Sequence, residues 1–173
     1  MHQHFSVSKV DSDHAKWPHE IFLINLVFNH ILVFATTFSV FTTFPLFVLI
    51  VPVISFVITA YIIIKGKQVA VSDASWFIKS HWGIAVKRNQ HFMWLLLITC
   101  TIIGCGFLIS KMMGWSKIAT IALLGGVGLL PFMVALLLLI VLGNDSLYQA
   151  RHGKLPKSFV EKNPDPSISE TSS

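Results

Sequence analysis

Histidine and cysteine are two residue types of this sequence whose chemistry allows metal binding, proton transfer or nucleophilic attack. The chain has eight histidines and two cysteines in 173 residues. Cys100 and Cys105 lie five positions apart in one apolar run, so on a helix they point in different directions and are not expected to form a disulfide. Two thiols do not make a metal framework, and we interpret both as small apolar side chains of a packed helix.

The polar segment 1–20 carries half of the histidines. Such a segment can bind a transition metal loosely, but a tight copper site needs histidine at the third position of the mature chain. Methionine is not normally removed before a bulky residue such as His2, so we do not expect that site. We interpret 1–20 as a polar tail and predict no metal site there; its titratable residues include His2, His4, Asp11, Asp13, His14 and His19.

His30 is the histidine that would lie deepest in a membrane, about ten residues into an apolar run. An ionisable residue at that depth is a candidate functional residue. A haem held by two histidines needs a second histidine at similar depth on a facing helix, and the other apolar runs have none between their ends. We therefore predict no cofactor bound by this chain alone, and leave open a haem shared with a partner subunit.

No arrangement typical of an active site occurs. The apolar runs contain no carboxylate, and the chain has no HExxH motif and no pair of carboxylates or nucleophile and base at catalytic spacing. The glycines at 125–128 lack the GK[ST] of a phosphate-binding loop. We predict that the protein is not an enzyme, and we expect no nucleic-acid partner.

The elements that carry these residues are membrane-spanning helices. Of the chain, 54% is hydrophobic and only 12% is charged, against about 25% in soluble domains. Residues 21–64 contain no Asp, Glu, Lys or Arg, enough for two crossings at about 20 residues each. Two further uncharged runs cover 92–110 and 118–142. The segment 41–45 contains Pro45 and divides the first run, so the predicted spans are 21–42, 46–64, 92–110 and 118–142.

Positive charge is distributed unevenly between the two sides that these spans define. Lys and Arg number two in 1–20, five in 65–91 and four in the C-terminal tail, against two in the 111–117 loop. By the positive-inside rule both termini are cytoplasmic, in a multi-pass protein of the bacterial inner (plasma) membrane. The tail from 158 is polar and rich in serine and proline, and we predict that 158–173 is disordered.

Residues 73–88 predict an amphipathic helix lying on the cytoplasmic membrane surface. An apolar arc, with Trp76 near its border, faces the lipid, and a basic face with Arg88 following it favours anionic lipids. His81 in the middle of the arc would need a backbone, lipid or protein partner. The arc comprises Phe77, Ile78, His81, Trp82, Ile84 and Ala85, and the opposite face carries Lys79 and Lys87.

The motif Ser80-His81-Trp82 also carries a family resemblance, together with the segment 147–156, LYQARHGKLP, after the last span. It resembles a family of small uncharacterised four-span bacterial inner-membrane proteins, which is sometimes likened to a component of the chloroplast protein-import channel. The resemblance covers roughly 55–157. It implies an all-α, four-span topology with a cytoplasmic amphipathic stretch before the third span.

Polar and small residues inside the spans suggest where the helices pack. On an ideal α-helix Asn25, Asn29, Thr36 and Thr43 form one stripe, which is interpreted either as hydrogen-bonding contact between helices or as a polar path, and His30 points about 100° away. Gly125, Gly126 and Gly128 before Pro131 predict a kink or a close helix contact. Two functions remain: a non-catalytic subunit, scaffold or assembly factor with a membrane-protein partner or a second copy, or a transport component.

Overall fold

The described part of the chain forms helices joined by short turns, together with one short strand pair. The structure, a computed structural model, describes residues 2–40 and 43–165. Four helices in it are long and apolar enough to cross a membrane, which confirms the all-α class and the four candidate spans. They are α1 (Lys9–Ser39), α2 (Leu46–Ala70, with a 3₁₀ turn at Pro45–Leu49), α3 (Trp76–Met112) and α4 (Lys117–Arg151). The other elements are β1 (His2–His4), β2 (Lys154–Pro156) and α5 (Lys157–Lys162).

Helix α1 begins well before the apolar run that predicted it. Ser8 caps its N-terminus, since the Ser8 hydroxyl accepts from the Asp11 backbone N–H at 3.0 Å. The segment 1–20 is therefore largely helical, not an unstructured tail. Ala15, His19 and Phe22 recur at helical spacing and are buried, so the polar part of α1 presents a packing face like the apolar part.

Residues 73–88 do not form a separate surface helix. Helix α3 starts at Trp76 after Ser75 and continues unbroken for 37 residues, or about 55 Å. Its predicted apolar arc is buried by protein: Phe77, His81 and Ala85 are all less than 5% exposed. The early start of α1 and the returning C-terminal segment cover this face, so it is not free to contact lipid.

The N-terminus, the start of α3 and the C-terminal segment meet at one end of the molecule, here called the basic end. Strand β1 pairs antiparallel with β2, so that Gln3 lies opposite Leu155. Gly153 adopts a positive φ of 61° in the turn before β2, where Phe5 also lies close to its backbone. A cluster of Ala15, Phe77, Ala150 and Leu155 with Val160 holds these segments together, and part of the predicted disordered tail is the helix α5. Residues 166–173 lie outside the described chain.

The helices pack around one core that runs along the bundle. Its members come from all four helices: Phe22, Leu26, Ile62, Phe92, Leu96, Phe132 and Leu136. Many large apolar side chains are exposed on the outer faces of these helices, which are long and apolar enough to cross a membrane.

Two helices contain a stretch of π-helix, in which each N–H bonds to the fifth preceding carbonyl. In α1 it covers Asn25–Val33, and in α4 it covers Leu124–Leu129, just before Pro131. Gly128 is buried, and a Cβ there would lie 2.7 Å from Ile103 on α3, whereas no atom lies within 4 Å of one at Gly125 or Gly126. The close helix contact therefore belongs to Gly128 alone among the three glycines.

Candidate functional site

A cluster of four polar side chains lies inside the bundle between α1 and α2. The Asn29 amide nitrogen lies 3.1 Å from the Asn25 side-chain oxygen, 2.9 Å from the Val51 carbonyl oxygen and 3.0 Å from the Ser55 hydroxyl. Ser55 also donates to Asn25 at 3.0 Å. His30 is the fourth member. Every one of these side chains is at most 3% exposed, so this inner polar cluster is shielded from solvent by protein.

The Val51 carbonyl determines the orientation of both amides. A carbonyl only accepts, so Asn29 directs its NH₂ group toward it, and the same NH₂ group can then bond only an acceptor on Asn25. This leaves the Asn25 amide nitrogen and the Asn29 amide oxygen buried without a hydrogen-bond partner within the described chain. An unmade hydrogen bond of this kind costs about 1–3 kcal/mol.

The π-helical stretch brings His30 into this cluster. On a regular α-helix, residues five apart point in clearly different directions, which is why His30 was predicted to face away from the asparagines. The wider π turn places His30 above Asn25 instead: its Nδ1 donates to the Asn25 carbonyl at 3.2 Å, and its Nε2 lies 3.3 Å from the Ser55 hydroxyl. The same change in helical pitch turns Thr36 away from the cluster. Thr36 is exposed, and its hydroxyl donates to the Leu32 carbonyl of its own helix. Thr43, on the far side of the undescribed residues 41–42, is exposed.

A mostly apolar cavity of about 300 Å³ lies beside His30. The His30 ring packs edge-on against Phe92 at 5.1 Å between ring centroids, and it lies at a tilt against Phe132 at 5.6 Å. Thr99 and Cys100 are the other polar residues of its lining. Cys100 and Cys105 were predicted to pack inside the bundle, but both are exposed. Of the four side chains of the inner polar cluster, His30 lines the cavity and Asn25, Asn29 and Ser55 do not, so the cavity meets the cluster at the His30 ring.

Two more polar contacts link helices nearer the basic end. Thr59 on α2 lies 3.5 Å from the Asn89 side-chain oxygen on α3, and both are buried. Arg88 on α3 donates to the Leu142 carbonyl and to the Ser146 hydroxyl of α4, both at 2.6 Å. Arg88 was predicted to contact lipid or a partner, but its Nη1 bonds α4.

A histidine pair lies at the centre of the basic end. The Nε2 of His19 on α1 lies 3.1 Å from Nδ1 of His81 on α3, and Nε2 of His81 lies 3.1 Å from the Lys154 carbonyl oxygen in β2. Both rings are fully buried. Three segments distant in the sequence therefore meet through one imidazole.

The Lys154 carbonyl dictates where the protons of this pair lie. It only accepts, so His81 carries its proton on Nε2 and accepts at Nδ1. His19 must then carry its proton on Nε2, which leaves its Nδ1 as a buried acceptor without a partner in the described chain. If both rings were charged, two N–H groups would face each other, so the pair holds at most one positive charge without rearranging.

Burial also lowers the basicity of these rings. His81 precedes the apolar run 92–110 by about three helical turns, outside the predicted span. Its desolvation by the surrounding protein lowers its pKa from 6.5 to about 4, against a smaller opposing effect of the Lys154 carbonyl. Burial likewise lowers the pKa of His19. The pair is therefore neutral at neutral pH, and its two rings link α1, α3 and β2 through hydrogen bonds.

The other predicted contact residues divide between this core and the surface. Phe77 packs edge-on against the His81 ring at 4.6 Å between ring centroids, Trp76 is half-buried against Phe5, and Trp82 is buried. Lys87 is exposed. Lys79 is half-buried. The predicted arc and basic face are thus both present, but the arc packs against protein.

His19 is the main site residue that the sequence did not single out. It lies in the polar segment, and without α1 extending to Lys9 it had no reason to be buried. Its spacing from Ala15 and Phe22, four and three residues away, was the available signal.

The fold and these contacts define a class of protein. It is an all-helical chain whose four long apolar helices suit a multi-pass membrane protein, with buried polar groups linking one helix to the next. In the described residues no three His, Cys, Asp or Glu side chains come together to hold a metal ion. The chain matches no family model, no curated protein and no solved structure, so the resemblance carried by Ser80-His81-Trp82 stays a prediction.

Proposed function

We propose that the chain is a non-catalytic protein of the bacterial inner membrane that serves as a subunit, scaffold or assembly factor of a membrane complex. Helices α1 to α4 would cross the bilayer. Both termini and the basic end would lie in the cytoplasm. The distribution of Lys and Arg supports this orientation, because the segments that gather at the basic end carry 11 of the 13 such residues.

The observation that carries the proposal is that the buried polar side chains bond to other helices. Asn29 bonds α2 through Ser55 and Val51, and Arg88 bonds α4 through Leu142. Polar groups used in this way hold neighbouring helices together, and the donors and acceptors so bonded are not available to a solute. A rigid bundle with apolar outer faces and a compact basic end is suited to holding a partner.

The surface supports two kinds of partner. The exposed apolar faces of the helices suit lipid tails, the helices of another membrane protein or a second copy of this chain. The exposed lysines around the basic end, Lys65, Lys67 and Lys87 among them, suit anionic lipid headgroups at about 1 kcal/mol per charge.

Purification in mild detergent tests the proposed role. A subunit or assembly factor should co-purify with a stoichiometric membrane-protein partner or as an oligomer, identified by mass spectrometry and native mass. The purified chain alone in liposomes should produce no ion or solute flux above that of empty liposomes. Flux from the chain alone, without a partner, would contradict the proposal.

Reporter fusions test the orientation separately. A reporter at Ser173 should give a cytoplasmic signal, and one at Gly114, in the turn between α3 and α4, a periplasmic signal. The same signal from both would contradict the four-span arrangement.

A second function, transport along a polar path on α1, is favoured by one observation. The Asn25 amide nitrogen and the Asn29 amide oxygen have no hydrogen-bond partner in the described chain. Both atoms are therefore available to bond water along a hydrated path. Water or a small polar solute beside these atoms would supply the missing hydrogen bonds. The liposome measurement above separates this function from the first.

A further inference from the structure

A groove between α1, α2 and α3 opens near the basic end and belongs to neither polar cluster. It has a volume of about 550 Å³, within the range of small-molecule binding sites. Three large aromatic side chains line it, together with one lysine, one aspartate and one histidine: Trp17, Tyr61, Trp82, Lys65, Asp13 and His14. We call it the aromatic groove.

Its level along the bundle matches the headgroup region if the helices span a bilayer as proposed above. Lys65 is the first charged residue after the uncharged run 21–64. Tyr61, one turn earlier, is 40% exposed, and Trp17 is 49% exposed. Indole and phenol side chains of this kind prefer the membrane interface, where the ring is in the apolar region and the polar tip reaches water.

The charges in the groove are of opposite sign and lie on different helices. Lys65 on α2 forms no ion pair with any carboxylate of the described chain. Asp13 on α1 lies 2.9 Å from Lys16, an ion pair whose aspartate is half exposed. Exposed pairs of this kind are weak, so a second cation can share the Asp13 carboxylate.

We propose that the aromatic groove binds one zwitterionic phospholipid of the cytoplasmic leaflet, with a phosphate diester and a free ammonium in its headgroup. The phosphate lies against Lys65, and the ammonium lies toward Asp13 and the aromatic rings, whose faces attract cations. The glycerol and the first acyl carbons lie over the buried floor, Trp82 and Ile78. This inference rests on the proposed membrane placement and adds a specific lipid to it.

Native mass spectrometry of the full chain from mixed micelles tests the proposal. With phosphatidylethanolamine and phosphatidylglycerol at equal concentration, one phosphatidylethanolamine should be retained preferentially. Lys65→Gln should lower its retention about fivefold. Lys67→Gln is the matched control, because Lys67 has the same charge two residues later and does not line the groove. Equal losses in the two variants would show only general attraction to charge and would overturn the proposal.

Asp13→Asn separates the ammonium contact from the phosphate contact. Asp13→Asn should lower retention of phosphatidylethanolamine and leave that of phosphatidylglycerol unchanged or raised. Poorer folding would lower retention of both lipids, so the comparison of the two lipids remains decisive even if the variant folds less well. Preferential retention of phosphatidylglycerol by the unmodified chain would overturn the proposal. Displacement of the lipid by soluble glycerophosphoethanolamine at equal concentration would also overturn it, since the site would then bind a headgroup without a membrane. The reporter fusions test membrane placement independently, so the two failures are distinguishable.

Discussion

Replacing His81 by alanine should destabilise the basic end more than any surface substitution. The imidazole accepts from His19 and donates to the Lys154 carbonyl, both at 3.1 Å, in a fully buried position. Its removal leaves a buried donor on His19 and a buried acceptor at Lys154, at about 1–3 kcal/mol each. The vacated volume beside Phe77 adds to that cost. We expect a loss of about 3–5 kcal/mol in the free energy of unfolding.

The assay is unfolding of the purified chain in detergent, followed by tryptophan fluorescence and by circular dichroism. His91→Ala is the matched control, because His91 is an exposed histidine on the same helix that bonds only the Lys87 carbonyl. It should change stability by less than about 0.5 kcal/mol. A double-mutant cycle with His19→Ala should give a coupling energy of about 0.5–3 kcal/mol. Equal effects of His81→Ala and His91→Ala would refute the assigned role of the pair.

Three further outcomes follow from the same contacts. Because the pKa of His81 is about 4 when folded and 6.5 when unfolded, the unfolded state binds the extra proton between these values. His81 should therefore contribute a loss of about 3 kcal/mol in stability as the pH drops from 6.5 to 4. In pH-dependent unfolding, His81→Leu should remove this contribution and leave the separate contribution of His19, whose pKa burial also lowers. Gly128→Ala should destabilise the bundle by about 1–3 kcal/mol because its Cβ meets Ile103, whereas Gly126→Ala should be neutral or stabilising in the same melting assay. Asn29→Ala should cost about 1–2 kcal/mol through its lost bonds to α2, and an equal loss for exposed Thr36→Ala would contradict the inner polar cluster.

The spans were predictable because the absence of charge over about 20 residues marks them directly. The extension of α1 before its apolar run was not predicted, since its polar residues are compatible with either solvent or protein surroundings. A helix before the third span was predicted, but its burial by protein was not. The polar part of α1 is buried through tertiary contacts: α3 and the C-terminal segment pack over His19 and Ala15. Sequence periodicity alone could not show that cover.

The inner polar cluster was half predictable for a related reason. Asn25 and Asn29 are four apart, so any helix places them together, and their pairing was foreseen. The directions of the His30 and Thr36 side chains relative to the two asparagines depend on the helical pitch. The π-helical stretch Asn25–Val33 changes that pitch. No residue in that stretch signals the wider turn, so an ideal α-helix placed His30 outside the cluster and Thr36 inside it.

Aqueous labelling of one introduced, buried cysteine tests whether the polar groups of α1 are hydrogen-bonded to α2 or line a water-filled path. Ser55→Cys is nearly isosteric and fully buried, and it is made in a chain whose exposed Cys100 and Cys105 are replaced by serine. Lys67→Cys, on the exposed surface of the same helix, is the reference. In membranes, a small charged thiol reagent should label Lys67→Cys and leave Ser55→Cys unlabelled. Labelling of Ser55→Cys at a rate comparable to Lys67→Cys would contradict the account and favour a hydrated transport path.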